Sequence, residues 1–84
     1  MAVYINKKDK KKVEAIQYLD IASIHSLMEL FNDEGWQGSP EGLKYHYGPV
    51  SSVIVKKGEY VIKSDEGKPI IMGMAKFESL YTKQ

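Results

Sequence analysis

The sequence predicts an α+β domain. It consists of a curved antiparallel sheet of four to five strands, one main amphipathic helix packed on one face, and a short C-terminal helix. Two observations carry this. Only one segment of any length repeats apolar residues at helical spacing: Ile24, Leu27, Met28 and Phe31 fall at i, i+3, i+4 and i+7. After it come several short β-prone runs separated by Gly, Pro and Asp turns, which are too short for parallel crossovers and so require antiparallel neighbours.

The elements follow in chain order. Val3 to Ile5 can pair as a short strand, and Val13 to Tyr18 is β-prone and follows a lysine run. Val13, Ala15 and Gln17 lie on one face of the second segment and Glu14, Ile16 and Tyr18 on the other, so neither face is cleanly polar. Asp20 is a good N-cap for the helix, and Asn32 or Gly35 suits its left-handed stop. A helix of about three turns is not stable alone in water, so it must pack on the sheet.

Trp36 to Gly42 has the composition of a loop. Leu43 to Tyr47 reads as a strand, Gly48-Pro49 as a turn and Val50 to Lys56 as the next strand. Lys57-Gly58-Glu59 is a tight connection into Tyr60 to Lys63, and Ser64 to Gly67 supplies turn chemistry. Pro69 to Met74 is read as a strand, with Pro69 at its first residue, where a missing N–H is tolerated. Phe77, Leu80 and Tyr81 place a short helix over Ala75 to Tyr81.

The chain has 84 residues, 12 Lys and 11 Asp plus Glu, for a formal charge of +1. That small number hides an asymmetry. Residues 1–12 hold Lys7, Lys8, Lys10, Lys11 and Lys12 against Asp9, or +4, and residues 13–84 hold seven Lys against ten acids, or −3. The reading is a basic N-terminal arm on residues 1–12 and a single α+β domain on 13–84. Arginine is absent, which removes the bidentate fork that reads guanine, so base-specific recognition is not expected and non-specific nucleic-acid contact stays open. Cysteine is also absent, which excludes disulfides, thiolate metal ligands and a Cys nucleophile. No apolar run reaches the ~18 residues of a membrane span, and Met1 to Ile5 is too short for a secretory h-region. A cytoplasmic location in a bacterial host and no membrane partner are therefore expected.

Three motifs, met in order, resemble a family of small phage and prophage proteins. Glu14-Ala15-Ile16-Gln17-Tyr18 follows a lysine-rich start. Lys57-Gly58-Glu59-Tyr60-Val61-Ile62-Lys63 resembles the family's Gly-acid-aromatic-aliphatic-aliphatic-Lys hairpin. Phe77-Glu78-Ser79-Leu80-Tyr81 resembles its closing Phe-x-x-x-Tyr. The chain departs from that pattern at Pro69-Ile70-Ile71, where the family carries aromatics, and at Ala75-Lys76, where it carries Pro-Asp. The resemblance implies phage origin and a fold, and it brings no activity with it.

No catalytic set is recognisable. His25 and His46 are the available bases, and neither accompanies a nucleophile elbow. The acid pairs Asp33-Glu34 and Asp65-Glu66 sit in turn sequences, and no metal-ligand spacing or cofactor motif is present. The candidate binding residues are Trp36, Tyr45, His46 and Tyr47, since aromatics around a Gly/Ser/Pro loop suit stacking on a base or packing on a partner. Packing of Trp36 and the tyrosines against the helix is the competing reading. The expected function is that of a non-enzymatic accessory protein binding a host protein or a small nucleotide-like signal, with sequestration in counter-defence as one version. A nucleic-acid module using the lysine arm and a minor virion or assembly protein are the alternatives. So small a core also favours a homodimer or higher homo-oligomer.

Overall fold

The computed structural model describes residues 2–20, 22–32, 35–46, 52–66 and 68–84. The strands are β1 (Ala2–Asn6), β2 (Lys12–Gln17), β3 (Trp36–Ser39), β4 (Gly42–His46), β5 (Ser52–Val55), β6 (Tyr60–Lys63), β7 (Pro69–Met72) and β8 (Tyr81–Lys83). The helices are α1 (Ala22–Phe31) and α2 (Met74–Leu80). The predicted Gly48-Pro49 turn, the start of the strand at Val50, and Tyr47, Asp33, Glu34 and Gly67 lie outside the described residues.

The fold is α+β with one main helix and a short C-terminal helix, as the sequence predicts. The strands divide into two antiparallel sheets, where the sequence predicts one of four to five strands. One sheet runs β7-β6-β2-β1-β8 and the other β3-β4-β5.

The strands the sequence does not predict are β3 and β8, of which β3 builds the smaller sheet. The Gly/Ser/Pro composition of Trp36 to Gly42 predicts a loop, yet these residues form a hairpin around Pro40-Glu41, with Ser39 opposite Gly42 and Trp36 opposite Tyr45. The Trp36 and Tyr45 rings stack at 4.2 Å, and this cross-strand pair outweighs the weak strand propensity of Gln37-Gly38-Ser39. The turn also depends on Gly42. Its φ is +141°, and a Cβ there would lie 2.5 Å from the Val55 carbonyl oxygen.

α1 begins as the sequence predicts. An Asp20 carboxylate oxygen accepts from the Ala22 N–H at 3.0 Å. Ser23 adds a second tie: its Oγ accepts from the Leu19 N–H at 3.2 Å and donates to the Gln17 carbonyl at 3.4 Å. Asn32, at φ 49°, ends the helix. Ile24, Leu27 and Leu30 are the buried residues of its apolar side, and Met28 and Phe31 are partly buried.

The alternation of β2 and β6 now has its explanation, because the five-stranded sheet packs on both sides. On one side Val61, with Ile16 and Ile71, meets α1 and the smaller sheet in a cluster of Ile24, Leu27, Trp36, Leu43, Tyr45 and Val55. On the other, Ala15, Tyr60 and Ile62 meet Phe77 of α2, with Tyr4, Val13, Met72 and Tyr81 beside them. β6 thus contributes alternate residues to two cores, and Tyr60, Val61 and Ile62 are all buried.

The strand expected at Val3 to Ile5 is present as β1, held between β2 and β8, while the C-terminal boundaries differ from those expected. The strand predicted to reach Met74 stops at Met72, and the helix predicted to reach Tyr81 stops at Leu80. Tyr81 is extended because Tyr81–Lys83 pairs with β1, placing Asn6 opposite Tyr81 and Tyr4 opposite Lys83.

Candidate functional site

Three features compete for a functional role. The first is the aromatic segment. Trp36 is 2% exposed and packs between Tyr45 and Phe31, whose ring centroid lies 5.5 Å away. Tyr45 is buried as well. The two rings are therefore brought together, but inside the core between the sheets. The indole Nε1 is buried with no hydrogen-bond partner among the described residues. His46 is exposed at the end of β4, and Tyr47 lies outside the described residues. His25 is exposed on α1, remote in sequence from His46. Among the described residues no group of three His, Cys, Asp or Glu side chains could hold a metal ion.

The second feature is the lysine segment. With residues 2–6 in β1 and Lys12 opening β2, Lys7 to Lys11 become the tip of a hairpin. Asn6 organises the tip: its Oδ1 accepts from the N–H groups of Lys8 (2.8 Å) and Asp9 (3.2 Å). Asp9 then accepts from the Lys11 N–H at 2.9 Å, and Lys10 takes φ 65° to close the loop. The lone acid of the segment is thereby held in the turn, where it still offsets one lysine charge. Lys7 anchors the tip to α2, its N–H donating to the Leu80 carbonyl at 2.8 Å and its Nζ to the Glu78 carbonyl at 3.0 Å. All of Lys7 to Lys12 are exposed. Lys12 shares a shallow polar concavity with Lys63, Glu14 and Asp65, so its charge is partly compensated.

The third feature was not visible in the sequence. α2 is only seven residues long and covers the Tyr60 side of its sheet face. The remainder of that face is a shallow groove of about 230 Å³, lined by the apolar Val13, Ile62, Ile70, Met72 and Tyr81 and, at one end, by Lys63, Ser64 and Asp65. Ile70 is 46% exposed, a large value for an isoleucine within a strand. The groove borders β7, one of the two edge strands of the sheet, which carries no charged residue. Such an edge offers backbone groups for pairing, with Pro69 contributing a carbonyl and no N–H. The groove is assembled from β2, β6, β7 and β8, segments up to 68 residues apart, which is why no local pattern announces it.

Beneath α2 the aromatic packing is dense. Phe77 stacks on Tyr60 (3.9 Å) and Tyr81 (4.8 Å) and meets Tyr4 edge-on (4.9 Å). The Tyr60 hydroxyl donates to Glu78 Oε2 at 3.1 Å. Burial, helped by the Glu78 hydrogen bond and the nearby Tyr4, pushes the Tyr60 hydroxyl up to about 12. This is a structural phenol, held neutral and donating.

Comparison with protein-family models, with curated proteins and with solved structures returned no match. No helix among the described residues is long and apolar enough to cross a membrane.

Proposed function

We propose that this chain is a non-enzymatic accessory protein of phage or prophage kind that acts by binding a host protein. The observation that carries the reading is the half-covered sheet face: a mostly apolar groove, closed at one end by Lys63, Ser64 and Asp65, with Ile70 exposed beside an uncharged edge strand. A protein segment in extended conformation satisfies both halves of that surface at once. Its backbone pairs with the β7 edge, and its alternate side chains lie on Val13, Ile62 and Met72. The phage assignment rests on the resemblance of the Glu14–Tyr18, Lys57–Lys63 and Phe77–Tyr81 motifs. A small nucleotide-like ligand is less well supported, because Trp36 and Tyr45 spend their rings on each other and on Phe31.

The test is affinity capture from bacterial host lysate with the full chain and its Ile70→Asp and Ile70→Lys variants, each checked for an unchanged circular dichroism spectrum. The expected result is one host protein retained at fixed stoichiometry by the parent chain and lost by both variants. An identical retained set for parent and variants refutes the reading. So does concentration-dependent pairing of the chain with itself, if Ile70→Asp abolishes it and no host protein is retained.

A further inference from the structure

The lysine hairpin is a second surface, at the same end of the sheet as the Lys63–Asp65 rim of the groove, and it does not rest on the protein-binding reading. We infer that the β1–β2 tip is a sequence-independent contact for the phosphate backbone of a nucleic acid. The tip is a structured element and not a frayed end. Asn6 Oδ1 and the Asp9 carboxylate satisfy its backbone N–H groups, and Lys7 ties it to the last turn of α2. The ammonium groups are therefore displayed from a fixed backbone, which lowers the ordering cost of binding.

The charges also count as a unit. Five lysines and Asp9 in six consecutive residues, a net +4, lie within roughly one to two Debye lengths of about 8 Å at physiological salt, so a line of phosphates meets their summed field. Lys7 is engaged with a carbonyl and Lys12 shares its concavity with Glu14 and Asp65. Lys8, Lys10 and Lys11 remain as the contact set. A strand of phosphates fits point charges of this kind, since a lone ammonium demands no planar geometry from its partner. The absence of arginine from the chain argues against base reading, which leaves backbone contact.

The experiment is fluorescence anisotropy of a labelled 20-base-pair duplex of arbitrary sequence, as DNA and as RNA, titrated with the full chain between 20 and 200 mM salt. Three contacts predict a slope of about −2.7 in log K against log salt for the DNA duplex, a loss of roughly 500-fold across that tenfold range. The variant K8Q/K10N/K11Q should bind at least 100-fold more weakly at 20 mM salt; Asn is chosen at position 10 because it tolerates the positive φ. The variant K8R/K10R/K11R should retain binding. The charge-matched control K56Q/K57Q/K76Q, at exposed sites elsewhere, should bind as the parent does. Absence of duplex binding at 20 mM salt overturns the inference, as does an equal loss in the hairpin variant and its control. Binding of polyglutamate without binding of either duplex overturns it as well, by assigning the tip to an acidic protein.

Discussion

Replacing Phe77 by Ala asks whether α2 and the sheet form one cooperative unit. Phe77 is 1% exposed and touches three aromatic rings, of which Tyr60 is also buried. Truncation of a buried Phe costs about 3–5 kcal/mol, and the rigid strands on the far side of the ring give little scope for the site to collapse, so about 4 kcal/mol is expected. A domain of this length has a total stability of about 4–13 kcal/mol. The variant should therefore sit at the edge of unfolding. With a urea slope of about 1 kcal/mol/M for a small domain, its midpoint should fall by about 4 M. Trp36 makes the assay informative, because it is the single tryptophan and lies in the other core, across the sheet from Phe77. Urea titrations followed by Trp36 emission and by far-ultraviolet circular dichroism should shift together, since β6 serves both cores. A loss below about 1.5 kcal/mol refutes the anchoring role of Phe77, that being the scale of a volume-conserving swap rather than of a cavity. A Trp36 transition that stays in place while the dichroism transition moves refutes the coupling through β6.

Gly42→Ala should destabilise by about 2–3 kcal/mol, seen in thermal melts, because φ +141° and the approach of the Val55 carbonyl both oppose a Cβ. Ser23→Ala should cost about 1–2 kcal/mol by chemical denaturation, since it leaves the Leu19 N–H and the Gln17 carbonyl without their shared partner. Alkaline titration should expose Tyr60. Its folded value of about 12 lies above the ordinary 10, so its contribution is complete below pH 10 and is lost as pH rises to 12. Tyr60→Phe should flatten that part of the stability profile.

The parts of the fold legible in the sequence are those decided locally. Asp20 caps α1, Asn32 stops it, and the Ile24–Leu27 stripe points to the core because capping and periodicity act within a few residues. β3 and β8 were illegible for the opposite reason. Gln37-Gly38-Ser39 has almost no strand propensity, and Trp36 opposite Tyr45 holds it in register. Tyr81 has helical spacing from Phe77, yet it is extended because β1 lies beside it. The candidate sites divide in the same way. The lysine charge was countable and strands were expected on either side of it, but the tip that Asn6 and Asp9 build by hydrogen bonding was not legible. Trp36 and Tyr45 were the right residue types for stacking, and the partner each found was the other.

The register of β8 has a consequence for the order of events in synthesis. The N-terminal strand takes its place between β2 and the C-terminal strand, and the Gln84 N–H donates to the Val3 carbonyl at 3.0 Å. Until residues 81–84 have left the ribosome, β1 has one neighbour only and exposes an edge carrying Val3 and Ile5. Closure of the five-stranded sheet is therefore a late, high-contact-order step, and before it β1 is an open edge strand. The same adjacency brings residues 3 and 84 within bonding distance. A circular permutant that joins them by a short linker and opens the Pro40-Glu41 turn would make β1 and β8 neighbours in sequence, turning that last closure into an early local one.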